Sequence, residues 1–245
     1  RDIVSDLRSS KLSLLWPLLY PLAYTTLFVL LKPVVQGGFS AFSWTYVLHV
    51  FIGFSLWQLW FEGLRAQMEA VRSNKSLLSR ADLNPSSLLL AGYFVQAIQL
   101  LPRLLLGLIG AAFFVGSVSP TDVLLFVGMS LIVILNGCAI GFLLQPFSTL
   151  LTDVAKMLQS ASLALLVSGG VFFVIPPGVD ARIAALLSVN PLAPLIEAAR
   201  APLLAQPMVF VWAPWIWAVL TVVALVIQAS VARKVLPVLL ERIGG

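Results

Sequence analysis

The feature that most limits the possible folds of this chain is a set of six apolar runs, each long enough to cross a lipid bilayer. A membrane-spanning helix needs about 20 mostly apolar residues, because the hydrocarbon core is roughly 30 Å thick. The sequence is 60% hydrophobic and only 10% charged, with a mean hydropathy of +1.02, whereas soluble domains carry about 25% charged residues. We therefore predict an all-α membrane protein with six transmembrane helices. The predicted spans are residues 12–31, 45–61, 86–116, 123–144, 157–175 and 214–232.

The distribution of positive charge predicts how these spans are oriented. Lysine and arginine gather on the cytoplasmic side of membrane proteins. With both termini inside, eleven of them fall in cytoplasmic segments, whereas Lys32, Arg182 and Arg200 fall in outer segments. This topology also explains the net charge of +5 better than nucleic-acid binding does. No polar stretch is long enough to fold separately, so residues 1–245 form a single domain.

Three further elements are predicted outside the spans. Residues 1–13 alternate charged and aliphatic residues, as in an amphipathic helix lying in the membrane interface. The outer segment 179–213, between spans 5 and 6, is mostly apolar but divided by prolines, which favours a re-entrant pair of half-helices. Glu197 and Arg200 lie three residues apart there and are expected to pair. The alternative is a surface ion pair on an interfacial helix.

The loop between spans 2 and 3 holds the densest cationic cluster in the chain. It leaves the apolar run at Glu62, and its residues 76–83 have an amphipathic helix pattern that ends at Asn84-Pro85. A short helix under a membrane bundle gives a soluble partner a surface to push on. The alternative is a helix that only rests on lipid.

Several sequence stretches resemble type-2 ABC exporter permeases, in the branch that exports polysaccharides such as O-antigen, capsule or teichoic acid. These stretches are RDI at 1–3 with LSLLWPLLYP at 12–21, LWQLWFE at 56–62, NKSLL at 74–78 with NP at 84–85, and NPLAPLIEAAR at 190–200. They follow the family's order over nearly the whole chain.

This resemblance implies a homodimer in the bacterial cytoplasmic (inner) membrane, with two copies of a separate cytoplasmic ATPase below it. The substrate would be a lipid-linked glycan, and the outer re-entrant segment, with Glu197 and Arg200, would gate its exit. The cytoplasmic helix would be the coupling helix. Its expected ATPase-coupling residues are Asn74, Lys75, Leu77, Leu78, Arg80, Leu83 and Pro85. The sequence contains no G-x-x-x-x-G-K-[ST], so we expect no cofactor in this chain, with ATP and Mg on the partner.

Two other classes of protein compete with this interpretation. An intramembrane enzyme would need a partner for Ser55, but His49, the only histidine, lies about 240° away around the same helix. We therefore expect His49 to be a packed or interfacial residue. A secondary transporter usually places acids at the membrane midplane, whereas Glu62, Asp122 and Asp153 lie at span ends. An exporter of a lipid or small drug-like molecule also remains open.

Two features inside the spans have both structural and functional interpretations. Arg103 follows Pro102 in the middle of the third span, where a charge costs several kcal/mol unless it is paired or hydrated. It is either part of a buried structural arrangement or the lining of a wet conduit. Gly137 and Gly141 form a GxxxG pattern, which favours close packing within the bundle over packing between protomers.

Aromatic side chains form a stripe on each of the first two spans. Their spacing places the rings of each span on one helical face, with Gln58 on the face of the second. Such a face suits a sugar chain, whose flat C–H surfaces lie on rings while its hydroxyls bond to polar groups. The alternative is ordinary packing between spans. The expected conduit residues are Trp16, Tyr20, Tyr24, Phe54, Trp57, Gln58, Phe61 and Arg103.

Overall fold

The structure, a computed structural model, describes residues 16–36, 43–74, 85–116, 118–151, 153–176 and 178–244. All the regular secondary structure in these residues is α-helix. The helices are α1 (Trp16–Gln36), α2 (Trp44–Ser73), α3 (Pro85–Phe114), α4 (Pro120–Leu150), α5 (Asp153–Ser168), α6 (Ala181–Val189), α7 (Leu192–Leu203) and α8 (Ala213–Gly244). The predicted interfacial helix at 1–13 and the predicted coupling helix at 76–83 lie outside the described residues.

Four helices are long and apolar enough to cross a membrane: α2, α3, α4 and α8. The pair α6–α7, bent by 103°, makes a fifth candidate if it is counted as one broken span. The chain is therefore a helical, multi-pass membrane protein. The described apolar part of α1, Leu18–Lys32, is shorter than these helices. Six spans remain a prediction.

Helix α2 is the centre of the bundle. Its most apolar window is 78% buried, against 28% for α3 and 17% for α8. Its main partner is α4. A β-carbon at Gly137 of α4 would overlap the carbonyl oxygen of Trp60, and one at Gly141 would overlap that of Leu64. The GxxxG prediction is thus confirmed, because both glycines allow the two backbones of this chain to approach closely.

Helix α2 is longer than predicted. The apolar run ends near Phe61, but the helix continues through the charged residues to Ser73. Leu64, Met68 and Val71 keep a buried face on this extension, while Arg65 and Glu69 pair on its exposed side at 3.9 Å. The first half of the predicted loop is therefore helix, since an amphipathic turn can continue a span wherever a neighbour covers its apolar side.

Helix α5 is shorter than predicted. The fifth span was expected at 157–175, yet the helix ends at Ser168. Gly169 and Gly170 follow, and Gly170 has φ +63°, a left-handed conformation typical of helix termination. The chain then runs as an irregular segment through Phe172 to Pro176. This segment, and not a helical turn, lies against α1 and α2.

Helix α2 runs from one end of the bundle, the Trp44 end, to the other, the Ser73 end. The Trp44 end carries Trp44 stacked on Phe114 of α3, with ring centroids 4.5 Å apart. The Ser73 end carries the last turn of α2 and the last turn of α4, where Ser148 Oγ donates to the Met68 carbonyl oxygen at 2.7 Å. The two half-helices α6 and α7 had been predicted from the prolines, and both are confirmed as helices.

Candidate functional site

The most extended arrangement of possible ligand-binding side chains is a run of stacked rings between α1 and α2, which we call the aromatic seam. The α1 side of the seam consists of Tyr20, Tyr24 and Phe28, and the α2 side consists of Phe54, Trp57 and Phe61. Tyr24 stacks on Phe54 with ring centroids 4.6 Å apart, which joins the two sides. Along the helices, Tyr20–Tyr24 are 5.1 Å apart, and Phe54–Trp57 and Trp57–Phe61 are each 5.5 Å apart.

The irregular segment after α5 contributes a seventh ring to the seam. Phe172 stacks on Phe28 at 3.5 Å between centroids and lies 6.4 Å from Phe54. Its carbonyl oxygen accepts a hydrogen bond from the Tyr46 hydroxyl at 3.2 Å. Sequence reasoning missed Phe172, because it had been assigned to the fifth span. A diglycine shortly before a ring-rich stretch is the one local feature that points to it.

The seam passes from the surface of the chain into its interior. Tyr20 is 50% exposed, Tyr24 and Trp57 are half-buried, and Phe54 is 2% exposed. Aromatic rings that only anchor a helix in lipid do not need to line up from a surface to a core. The rings thus form a continuous series from the exposed Tyr20 through Tyr24 to the buried Phe54 and Phe172.

Two polar atoms beside the seam lack hydrogen-bond partners within the described part of the chain. They are Trp57 Nε1, a donor, and Gln58 Oε1, an acceptor. Gln58 uses its other amide atom, Nε2, to donate to Glu62 Oε1 at 2.7 Å. Buried polar groups are nearly always paired, and an unpaired one costs about 1–3 kcal/mol. The seam therefore holds one buried donor and one buried acceptor without a partner in the described part of the chain.

One predicted conduit residue, Arg103, is not brought to this seam, and a second, Trp16, cannot be placed relative to it. Trp16 begins α1, but its side chain lies outside the described residues. Arg103 is 3% exposed and lies beside Ser55 and Phe126. Ser55 is on the face of α2 opposite Trp57 and Phe61, so Arg103 is separated from the rings by the helix.

A cavity of about 350 Å³ lies at the Trp44 end, directly beyond Phe28 and Phe172. We call it the Lys32 pocket. Its other walls include Leu31, Lys32, Tyr46 and Val174. The Lys32 ammonium lies over the Tyr46 ring at 3.9 Å from its centroid. The pocket is therefore an aromatic and aliphatic cavity with one cation, and it shares two rings with the seam.

Glu197 and Arg200 of α7 are both buried, which excludes the alternative of a surface ion pair. The expected ion pair between Glu197 and Arg200 does not form. Glu197 accepts hydrogen bonds from the backbone N–H groups of Val209 and Phe210, at 3.1 and 2.9 Å. In the described residues, ion pairs instead join Arg65 to Glu69 and Asp153 to Lys156. The carboxylate thus fixes the chain that leads into α8.

Arg200 fixes the other side of α7. Its guanidinium donates to the carbonyl oxygens of Gly170 at 2.6 Å, Val171 at 3.2 Å and His49 at 3.4 Å. A β-carbon at Gly53 would overlap this guanidinium. Arg200 therefore holds the segment that carries Phe172 against α2. We call this set of three bonds the Arg200 clamp.

His49 is a packed residue, as predicted. It is 2% exposed, its Nδ1 lies 2.8 Å from Gln206 Oε1, and its ring stacks on Tyr46. His49 and Ser55 do not hydrogen-bond to each other, and Ser55 Oγ has no partner among the described residues. Their positions on different faces of α2 agree with the prediction from their six-residue spacing.

Two of the predicted coupling residues, Asn74 and Pro85, lie at the Ser73 end. Asn74 caps α2, with Nδ2 donating to the Ala70 carbonyl oxygen at 2.9 Å, and Pro85 begins α3. The remaining predicted coupling residues, Lys75, Leu77, Leu78, Arg80 and Leu83, lie outside the described residues.

Hydrogen bonds that the sequence did not predict join α2 to its neighbours near residues 67 and 68. Gln67 Nε2 donates to the Leu89 carbonyl oxygen at 2.9 Å, and Gln145 Nε2 donates to that of Gln67 at 3.1 Å. Together with the bond from Ser148 to Met68, they tie α2 to both α3 and α4. Gln145, a glutamine in an otherwise apolar stretch, is a sequence feature that could have indicated one of them.

Comparison with known protein families found no family that matches this sequence, and comparison with curated proteins found no matching relative. What the chain does is therefore inferred from the aromatic seam, the Lys32 pocket and the bonds that surround them.

Proposed function

We propose that this chain is the membrane permease subunit of an ATP-driven exporter that moves a lipid-linked polysaccharide of the O-antigen, capsule or teichoic acid type. The working unit would be two copies of this chain in the bacterial cytoplasmic membrane, with both termini in the cytosol. Two copies of a separate ATPase would bind at the Ser73 end, and the Trp44 end would face outward.

The observation that carries this proposal is the aromatic seam. Two stripes on separate helices meet through Tyr24 and Phe54, and every ring along the seam has another within about stacking distance. The C–H faces of a sugar lie well on such rings, and rings distinguish little between successive sugars. In the proposed exporter the ring–ring stacks open to admit the sugars, and the polymer slides from one ring to the next without a deep binding minimum.

Polar atoms beside the rings support a glycan over an acyl chain. The unpartnered Trp57 Nε1 can donate to a sugar hydroxyl, and the unpartnered Gln58 Oε1 can accept from one. An acyl chain would leave both atoms without a partner, at a cost of about 1–3 kcal/mol each.

An exporter of a lipid or a small drug-like molecule is the second candidate. The Lys32 pocket favours it, because a cavity of about 350 Å³ with mostly apolar walls is within the range of small-molecule sites, roughly 300–1,000 Å³. Ion-coupled secondary transport is a weaker candidate. Glu197, the most buried described carboxylate, already accepts two backbone hydrogen bonds.

A transport assay with ring-deleted variants tests the proposal. The chain and its ATPase are placed in inside-out vesicles, and ATP-dependent uptake of a lipid-linked glycan is measured. Replacing Tyr20, Tyr24 and Trp57 with alanine should reduce uptake at least ten-fold, since stacking contributes about 0.5–1.5 kcal/mol for each ring pair. Membrane assembly and ATPase binding should persist.

A matched control removes three rings outside the seam: Phe113, Trp212 and Trp215, which are all at least 50% exposed. This variant should transport normally. Loss of stability alone in the seam variant, or equal loss of uptake in the control, would leave the rings as packing. Altered drug resistance with unchanged glycan uptake would favour the second candidate, and uptake that needs a proton gradient but no ATPase would favour secondary transport.

A further inference from the structure

We infer that the Lys32 pocket binds a negatively charged sugar of the exported chain, so that the exporter selects an acidic glycan. This inference rests on the proposed function, and it adds a substrate class that the aromatic seam by itself does not specify. The recognised chemistry is an anionic group, carboxylate or phosphate, carried on a sugar ring.

The position of the pocket connects it to the seam. Phe28 and Phe172 line the pocket on one side and belong to the seam on the other. A glycan that follows the rings from Tyr20 through Tyr24 to Phe172 would next meet this cavity. The pocket is therefore placed to receive the sugar that leaves the seam.

Lys32 gives the pocket a positive charge that the described part of the chain does not neutralise. The ion pairs there involve other residues: Arg65 with Glu69, and Asp153 with Lys156. Residues 33–42, which follow Lys32 in sequence, contain no aspartate or glutamate. The described part of the chain thus supplies Lys32 with a ring beneath it but with no carboxylate close enough to form an ion pair.

The Tyr46 ring positions the Lys32 ammonium and leaves N–H donors available for an anion. A cation over an aromatic face is stabilised by about 0.5–2 kcal/mol, and the ammonium keeps N–H donors that point away from the ring. The Tyr46 hydroxyl is meanwhile bonded to the Phe172 carbonyl oxygen. One side chain therefore fixes both the cation and a ring that the sugar would meet.

The walls favour a charged sugar over a phospholipid. A sugar ring presents a flat C–H face to Phe28 and Phe172 while its anionic substituent reaches Lys32, so ring and charge are recognised within one cavity of about 350 Å³. A phospholipid would place only its headgroup near Lys32, and its two acyl chains would have to lie along the seam, where Trp57 Nε1 and Gln58 Oε1 would gain no partner.

A matched pair of probes tests the inference on the purified full-length chain in phosphatidylcholine nanodiscs. One probe is an oligosaccharide with a glucuronate in each repeat, and the other is its carboxyl-reduced derivative, in which each glucuronate has become glucose. Saturation-transfer NMR measures the Kd of each. We expect the acidic probe to bind about ten-fold more tightly, as for a charge-assisted hydrogen bond, and to weaken as salt is added.

Variants assign the effect to one side chain. Lys32→Gln should remove the preference for the acidic probe, and Lys32→Arg should retain most of it. Arg182→Gln, which removes an exposed cation of α6 that does not line the pocket, should leave the preference unchanged. The comparison of the two probes on the unaltered chain needs no variant, so it remains decisive even if Lys32→Gln does not fold.

Three results would overturn the inference: equal binding of the two probes, an undiminished preference in Lys32→Gln, or Lys32-dependent binding of phosphatidylglycerol that displaces the acidic probe. The last would identify the pocket as a lipid site. The binding test needs neither ATPase nor transport. A glycan that is exported but bound without charge preference would contradict this inference alone, whereas Lys32-dependent binding without export would contradict only the proposed function.

Discussion

Tyr24 of α1 stacks on Phe54 of α2, with ring centroids 4.6 Å apart and planes 13° apart. This contact joins two aromatic stripes that the sequence places on separate helices. Because Phe54 is fully buried and Tyr20, one turn before Tyr24, is half exposed, the joined rings lead from the surface into the bundle. The proposal of a glycan path depends on this contact more than on either stripe.

The contact between α2 and α4 should tolerate no added side-chain atoms at Gly141. A β-carbon there would overlap the Leu64 backbone, which cannot move aside as a flexible side chain can. We expect Gly141→Ala to lower the free energy of unfolding by about 1–3 kcal/mol, as overpacking typically does. Thermal unfolding of the purified protein in detergent measures the effect.

Gly128→Ala on the same helix is the matched control, because nothing lies within 4 Å of its β-carbon. Equal stability of the two variants would show that α2 and α4 are not packed this closely.

The Arg200 clamp should keep the segment with Phe172 closed. Arg200→Met removes the donors to Gly170, Val171 and His49. We expect a loss of about 1.5–3 kcal/mol in the free energy of unfolding, the usual contribution of a hydrogen bond to a charged group. We also expect faster maleimide labelling of Val171→Cys, a position that is 0% exposed.

Two features of the chain provide controls for this measurement. The native Cys138 is also fully buried, so background labelling should be slow, and Arg182→Met removes an exposed arginine without touching the clamp. Unchanged stability together with unchanged labelling of Val171→Cys in the Arg200 variant would show that the clamp does not hold this segment.

In the proposed exporter, the predicted coupling helix at 76–83 should transmit the action of the ATPase. Replacing Leu77, Leu78 and Leu83 with serine removes the apolar ridge that the sequence predicts for this helix, while the bond from Gln67 to Leu89 remains to hold α2 against α3. We expect export to stop while basal ATP hydrolysis continues. Uptake and hydrolysis are measured in the same vesicles. Ser76→Ala with Ser79→Ala, which keeps all three leucines, is the control for the segment. Normal export and normal ATPase binding in the leucine variant would mean that the segment only rests on lipid.

The sequence alone determined the features that depend on neighbours along the chain. The third span was predicted at 86–116 and the helix runs over Pro85–Phe114, because its apolar run, its starting proline and its closing glycine are all local. The break between α6 and α7 was likewise predicted from Pro191, since the residue before a proline is pushed out of the helical region.

Only the tertiary structure decided which groups face each other. Glu197 and Arg200 lie on one face of α7, as spacing requires, yet each bonds to backbone groups of other segments, because α7 is buried among them and their N–H and C=O groups need partners. Spacing along α3 likewise could not tell on which side of α2 Arg103 would lie. Helical periodicity states which residues share a face, but packing decides what that face meets. Tyr24 and Phe54 are 30 positions apart in sequence and become neighbours only when α1 lies against α2.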